Sequence, residues 1–271
     1  MGVDLAPRGW RTVGASVVGT SHASSGQPCA DACATRVLRP RRGRPVLVAV
    51  AADGAGTSER APEGARLACE AVVRQAETWA SRTPDLATFA REDCLPWLGK
   101  ARKRIARAAR AEHRPVRDFS CTLLVALVGQ ARAVFFQIGD GVIVYRSDDG
   151  AYVPALWPQS GEYANCTWFV TDDDAPERVQ FAAAPGVHEV ALLTDGLQGL
   201  ALRFDTREAH SPFFEPMFAR LRGETEGEAA GLLEGLRAFL ASAPVNQRTD
   251  DDKTLVLATR LPPDAGDPAE P

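Results

Sequence analysis

No apolar run in this chain approaches the ~20 residues a membrane-spanning helix requires. The longest, such as 46–52 and 123–128, have the length of buried strands. The first ten residues lack the apolar stretch of a secretory signal, and Ala6 stands where a myristoylation pattern needs Ser or Thr. The expected location is therefore the cytoplasm, with no membrane partner. Histidine is scarce, four residues with none grouped at zinc-ligand spacing, and the six cysteines (Cys29, Cys33, Cys69, Cys94, Cys121, Cys166) form no CxxC pair. They read as reduced thiols, several of them buried, with a Cys29–Cys33 redox couple as the alternative. An excess of positive charge is also missing. The 31 Lys and Arg against 35 Asp and Glu give a net charge of -4, which argues against nucleic acid as the partner. With 45% hydrophobic and 24% charged residues, the chain has enough apolar material for a sizeable core.

Short runs rich in Val, Ile, Leu and Phe, bounded by turn residues, predict strands at 11–19, 46–52, 121–128, 133–138, 142–145, 187–194 and 254–259. Helical spacing of Ala65, Ala68, Cys69, Val72, Ala76 and Trp79, with Pro62 in the first turn, predicts an amphipathic helix. A second helical stretch covers 85–111 with Pro96 as a kink or break, and a third, interrupted near a glycine, lies within 206–243. This order does not alternate βαβα, so it suggests packed antiparallel sheets with helices outside, an α+β architecture. The basic residues Lys100, Arg102, Lys103, Arg104, Arg107 and Arg110 surround a helix whose other side is apolar and read as a solvated face. Residues 39–45 read as an exposed turn, and 261–271 as a disordered tail following a single domain over 1–260.

Three apolar runs end in Asp-Gly, at Asp53-Gly54, Asp140-Gly141 and Asp195-Gly196, and Asp250 to Asp252 stand directly before the apolar run at Leu255. Asp-Gly is the commonest hairpin turn. That reading is strong for Asp149-Gly150, fair for Asp140-Gly141, and weaker for Asp53 and Asp195, which lead into loop and helix. Carboxylates gathered at strand ends repel one another unless cations offset the charge. Oxygen ligands without His or Cys select hard ions, Mg²⁺ or Mn²⁺. A glycine after each Asp lets water or substrate approach the backbone and frees its carbonyl as a ligand. Two such ions ~4 Å apart can activate water for in-line attack on a phosphoryl centre. The segment Gly54 to Ser58 lacks the lysine of a phosphate-cradling P-loop, which discounts a nucleotide site.

The ordered motifs resemble those of the metal-dependent Ser/Thr protein phosphatase family, type 2C, in its bacterial branch. They are GTSH at 19–22 with Asp31-Ala32, VAVAADGAGTS at 48–58, EGA at 63–65, FSCTLLVALV from Phe119 and QIGDG from Gln137. GEYANCTWFVT from Gly161, LLTDGL from Leu192 and DDKTLVL from Asp251 complete the series. The resemblance implies a four-layer α-β-β-α sandwich of two antiparallel sheets flanked by helices. It also implies hydrolysis of phosphoserine and phosphothreonine by a water activated between two Mn²⁺ or Mg²⁺ ions, with a weaker third ion, on a phosphoprotein made by a Ser/Thr kinase. By the same resemblance Asp53 would bridge both metals, the Gly54 carbonyl would ligate one, and Asp195 and Asp251 would bind the other. Asp31 would hold metal-bound water, and Asp140 would belong to the third site. The GEYANCTWF stretch is assigned no chemistry, and Thr122 and Thr254 read as core or strand residues.

Where relatives often carry a phosphate-binding Arg five residues before the Asp31 position, this chain has Gly26. Ala55 replaces a histidine of animal relatives, and Gly199 replaces an Asp that helps hold the third ion. His22 is the candidate proton donor to the leaving group, set against a turn histidine bonded to backbone. A pseudophosphatase that binds a phosphorylated partner without turnover is the alternative function. The surviving carboxylates Asp53, Asp195 and Asp251 favour catalysis.

Overall fold

The computed structural model describes residues 9–39, 44–82, 86–159, 167–225 and 227–260. The expected turn at 39–45 falls largely outside them, as do Cys166, the start of the GEYANCTWF stretch and the 261–271 tail. Two sheets form the centre. One has strand order β2-β3-β4-β5-β8, built from β2 (Ala32–Leu38), β3 (Val46–Ala52), β4 (Leu123–Val128), β5 (Arg132–Ile138) and β8 (Gln180–Pro185). The other has order β12-β1-β13-β9-β6-β7, built from β1 (Arg11–Val17), β6 (Val142–Arg146), β7 (Tyr152–Leu156), β9 (Glu189–Leu193), β12 (Gly227–Glu228) and β13 (Lys253–Thr259). A small hairpin of β10 (Leu202–Arg203) and β11 (Glu208–Ala209) stands apart. Pairing is antiparallel throughout except between β1 and β12.

The two-residue period of a strand sorts the core into three layers. In β3, Leu47, Ala49 and Ala51 face the other sheet, where Ile143, Val190, Leu192, Val256 and Ala258 meet them. Its alternate residues Val48, Val50 and Ala52 pack under α2 (Ala61–Ala80) and α3 (Arg91–Ala111). With both faces covered, β3 is buried along its whole length, which is why it reads as an unbroken apolar run. On the far side, Leu255 and Leu257 of β13 and Ala191 and Leu193 of β9 pack under α6 (Ser211–Arg222) and α7 (Ala230–Leu240). Helices, sheet, sheet and helices make the four layers expected. Short helices α1 (Thr20–Ser24), α4 (Ala175–Arg178), α5 (Gln198–Ala201) and α8 (Ala243–Asn246) complete the structure. Among the described residues no helix is long and apolar enough to cross a membrane.

Several expectations shift. The first strand ends at Val17, and Gly19 instead caps α1. The second helical stretch starts at Arg91, where the Asp93 carboxylate accepts the Ala90 N–H at 2.8 Å, and it continues unbroken through Pro96. Pro96, the sixth residue of the helix, has no N–H for the Glu92 carbonyl and so forfeits one helical bond without ending the helix. Part of the basic face is anchored rather than solvated, since Arg102 donates to the carbonyls of Val170 and Asp172 and Arg104 pairs with Glu70. Asp149-Gly150 does turn the β6–β7 hairpin, with Gly150 at φ +87°. Asp140-Gly141 is no hairpin: β5 and β6 belong to different sheets, and this segment, with Gly139 at φ +106°, carries the chain across.

Candidate metal centre

Because both sheets are antiparallel and packed face to face, strand ends from each can converge at one edge. Asp53 follows β3 and Asp31 precedes β2 in the five-stranded sheet. Asp195 follows β9 and Asp251 precedes β13 in the six-stranded one, and Asp140 sits in the crossover between them. Carboxylate oxygens of Asp53, Asp140 and Asp195 all lie within 4.8 Å of one another. Asp251 is exposed and stands outside that trio, yet its charge contributes to raising the pKa values of all three.

Asp31, Asp53, Asp140 and Asp195 are each held in a site unfavourable to anions. Burial, then the charges of Asp31 and Asp195, hold Asp53 well above the usual carboxylate range. Burial, then Asp140 and Asp251, push Asp195 up to about 7. Burial raises Asp31 to about 6 against the opposing hydrogen bonds of Thr254 and Thr194, and burial likewise raises Asp140. Among the described residues no Lys or Arg forms an ion pair with Asp31, Asp53, Asp140 or Asp195. Asp31 Oδ1 and Asp140 Oδ1 are buried with no hydrogen-bond donor there either. Converging oxygens, unpaired lone pairs and no protein cation fit a hard divalent ion.

Neighbouring hydroxyls set the geometry. Thr122 accepts the Asp53 N–H on Oγ1 at 2.9 Å and donates its own N–H to the Asp53 carbonyl at 2.7 Å, so it clamps the backbone of Asp53. The hydroxyls of Thr194 and Thr254 donate to Asp31 Oδ2 at 2.8 and 2.7 Å. Thr122 and Thr254 are therefore positioning residues as well as core. The glycines serve a different end from the one expected. A Cβ on Gly54 would lie 2.7 Å from the Ala30 carbonyl oxygen, one on Gly196 2.1 Å from that of Asp252, and one on Gly141 2.9 Å from that of Leu193. Protein atoms, chiefly backbone at Gly54 and Gly196 and the Leu124 side chain as well at Gly141, occupy the space that a side chain would need.

Asp252, absent from the predicted set, is the hub of the arrangement. Its Oδ1 accepts the Gly19 N–H at 2.6 Å, and its Oδ2 accepts the Ala30 N–H at 2.5 Å and meets His22 Nδ1 at 2.9 Å. His22 is thus paired with a buried carboxylate rather than bonded as a turn residue to backbone. Its Nε2 lies 3.9 Å from where a Cβ on Gly56 would stand, so it looks toward the loop after Asp53. The only hint in the sequence was the Asp250–Asp252 run before a strand. Gly26 adopts φ +69°, a turn conformation that disfavours an Arg there. Ala55 is buried, and Gly199 lines a groove behind the six-stranded sheet, whereas the neighbouring Gln198 donates its amide to the Asp140 carbonyl. Cys29, Cys33, Cys69, Cys94 and Cys121 are free thiols, and burial raises each of them, which leaves them unreactive.

The model of the protein phosphatase 2C family matches residues 18–241. The chain belongs to the protein phosphatase 2C family. It is 41% identical over 252 residues to serine/threonine-protein phosphatase 3 of Escherichia coli strain K12, a match that takes in 92% of this chain and 98% of that protein. Among solved structures it is similar to the serine/threonine phosphatase Stp1 of Staphylococcus aureus, with TM-score 0.63 at 13% identity over 96% of this chain and 99% of that one. PppA of Pseudomonas aeruginosa matches with TM-score 0.57 at 16% identity over 92% and 97% of the two chains. At those identities the likeness concerns the fold, and it agrees with the two-sheet sandwich described above.

Proposed function

We propose that residues 1–260 act as one phosphatase domain that hydrolyses phosphoserine and phosphothreonine in proteins phosphorylated by Ser/Thr kinases. The observation that carries this reading is the trio Asp53, Asp140 and Asp195, converged within 4.8 Å without a protein cation, in a type 2C chain. These three, with the Gly54 carbonyl, Asp251 and Asp31, would hold Mn²⁺ or Mg²⁺. When bound, such ions neutralise phosphoryl charge and supply an activated water. Asp53 contributes from one sheet and Asp195 from the other, so sheet packing sets their spacing. Thr122 fixes the Asp53 backbone, and Thr194 and Thr254 fix one oxygen of Asp31 and leave the other free. With Asp252 accepting from Nδ1–H, an imidazolium His22 would pass its Nε2 proton to the departing serine or threonine oxygen and be left as the neutral ring, still bonded to Asp252.

Phosphate release from phosphoserine, phosphothreonine and phosphotyrosine peptides, measured with Mn²⁺, Mg²⁺ and chelator, tests the reading. Turnover of the first two is expected with metal and none with chelator. Asp53→Ala should lower kcat by ~10³ or more. Undiminished turnover in that variant would remove Asp53 from the site. Tight binding of phosphopeptide without turnover in the metal-loaded protein would instead establish the pseudophosphatase alternative.

A further inference from the structure

Behind the six-stranded sheet, on its helix-covered face, lies a cavity of about 610 Å³. It opens between α6, α7 and α8, and none of the site carboxylates lines it. Its volume falls in the range of small-molecule sites, roughly 300–1,000 Å³. Phe213, Met217, Leu236 and Phe239 form its apolar walls, and Phe239 is 37% exposed.

Two features show that this space is more than imperfect packing. Gly231 and Gly235 sit four apart, on one face of α7, and both line the cavity. A Cβ at either would meet no atom within 4 Å, and neither has the positive φ that calls for glycine. Gly235, inside the helix, forgoes about 1 kcal/mol of helix stability relative to alanine, and Gly231 in the first turn forgoes less. The helix thus gives up stability and keeps the cavity open, a pattern found where function constrains a sequence. The lining is also one-sided in charge. Arg220, Arg248 and His210 line it, no carboxylate does, and among the described residues neither guanidinium group has a hydrogen-bond or ion-pair partner.

We propose that this cavity binds a small aromatic monoanion, with its flat body against Phe213, Phe239 and the faces of Pro212 and Pro216 and its carboxylate or sulfonate at the two arginines. Rings and prolines present rigid flat walls suited to an aromatic body. Unpaired guanidinium groups form charge-assisted bonds with an oxyanion. The site shares walls with the catalytic segments, because Gly199 and Leu200 closely follow Asp195 and Arg248 shortly precedes Asp251.

Fluorescence titration of the full chain with anilinonaphthalene sulfonate tests this. One saturable site is expected, with binding about tenfold tighter than for the neutral analogue phenylnaphthylamine. Gly235→Leu should abolish binding while leaving the melting temperature equal or higher, because leucine fills the cavity and favours the helix. The exposed pair Arg220→Glu and Arg248→Glu, combined, should weaken binding about tenfold or more and does not depend on how Gly235→Leu folds. Undiminished binding in the folded Gly235→Leu protein, undiminished binding in the arginine variant, or equal affinity for the neutral analogue would overturn the proposal.

Discussion

At the scale of single residues, the most consequential bond is the one between Asp252 and His22. A histidine held through Nδ1 by a buried carboxylate has a fixed ring plane, so the proposed proton transfer from His22 to a poor leaving group would need no search of rotamers. His22→Gln should lower kcat by ~10² on phosphoserine peptides and barely change the rate on p-nitrophenyl phosphate, whose leaving group departs without a proton. Asp252→Asn should show the same substrate split with a smaller loss. Equal losses on both substrates, measured with saturating Mn²⁺, would assign the pair to folding or metal positioning instead. Much of this site was legible in the sequence: Asp53, Asp140 and Asp195 each end an apolar run and are followed by glycine. The threonines and Asp252 were not. Threonine is also a good strand former, and nothing local tells Thr254 that its hydroxyl meets Asp31, 223 residues away.

At the scale of elements, legibility follows burial. Strands β3, β4, β5, β6, β9 and β13 lie inside sheets and carry dense apolar runs that can be read directly. The unread strands β2, β7 and β8 are edges of their sheets, and the mixed burial of ACATRVL, YVPAL and QFAAAP leaves no clear period. The anchor of β9 was equally hidden. At its first residue Glu189 is fully buried and accepts two hydrogen bonds from Arg222 of α6, at 2.9 and 3.1 Å, plus one each from the Tyr152 and Thr259 hydroxyls. Arg222→Ala would leave that buried carboxylate with only the longer Arg146 contact at 3.8 Å, a loss of up to ~3–5 kcal/mol. Urea unfolding should register this, and the combined change Arg222→Met with Glu189→Leu should recover most of it. Because Glu189 lies at the opposite end of β9 from Asp195, kcat per folded molecule should stay unchanged in both.

For the whole molecule, the clustered acids link stability to pH and to metal. A carboxyl whose folded pKa is raised holds a proton that the unfolded chain releases near pH 3.8, so its penalty is absent below that value and grows as pH rises. With Asp31 raised to about 6 and Asp195 to about 7, the penalty is fully developed above about pH 7. With chelator, the melting temperature should therefore fall between about pH 5 and about pH 7.5, and Asp31→Asn should flatten that fall. Saturating Mn²⁺ at the higher pH should reverse it, by about 2.7 kcal/mol once the free ion reaches about 100 times its Kd. A melting temperature that rises with pH in chelator would mean that the acids are not held as protonated groups.

The position of β13 also bears on how the protein is made. Among the described residues it is the last strand in sequence, yet it lies between β1 and β9, with Arg11 opposite Thr259. During synthesis the first strand must therefore wait, unpaired along that edge, until residues 253–259 have left the ribosome. Pairings of such long sequence separation fold slowly, and the exposed strands are open to aggregation in the interval. Synthesis stalled before Asp251 should yield a chain with its helices and five-stranded sheet but without Asp251, Asp252 and Thr254. Under the proposed function, phosphate release would then require this strand in place, so a chain stalled before Asp251 should release no phosphate from phosphopeptides.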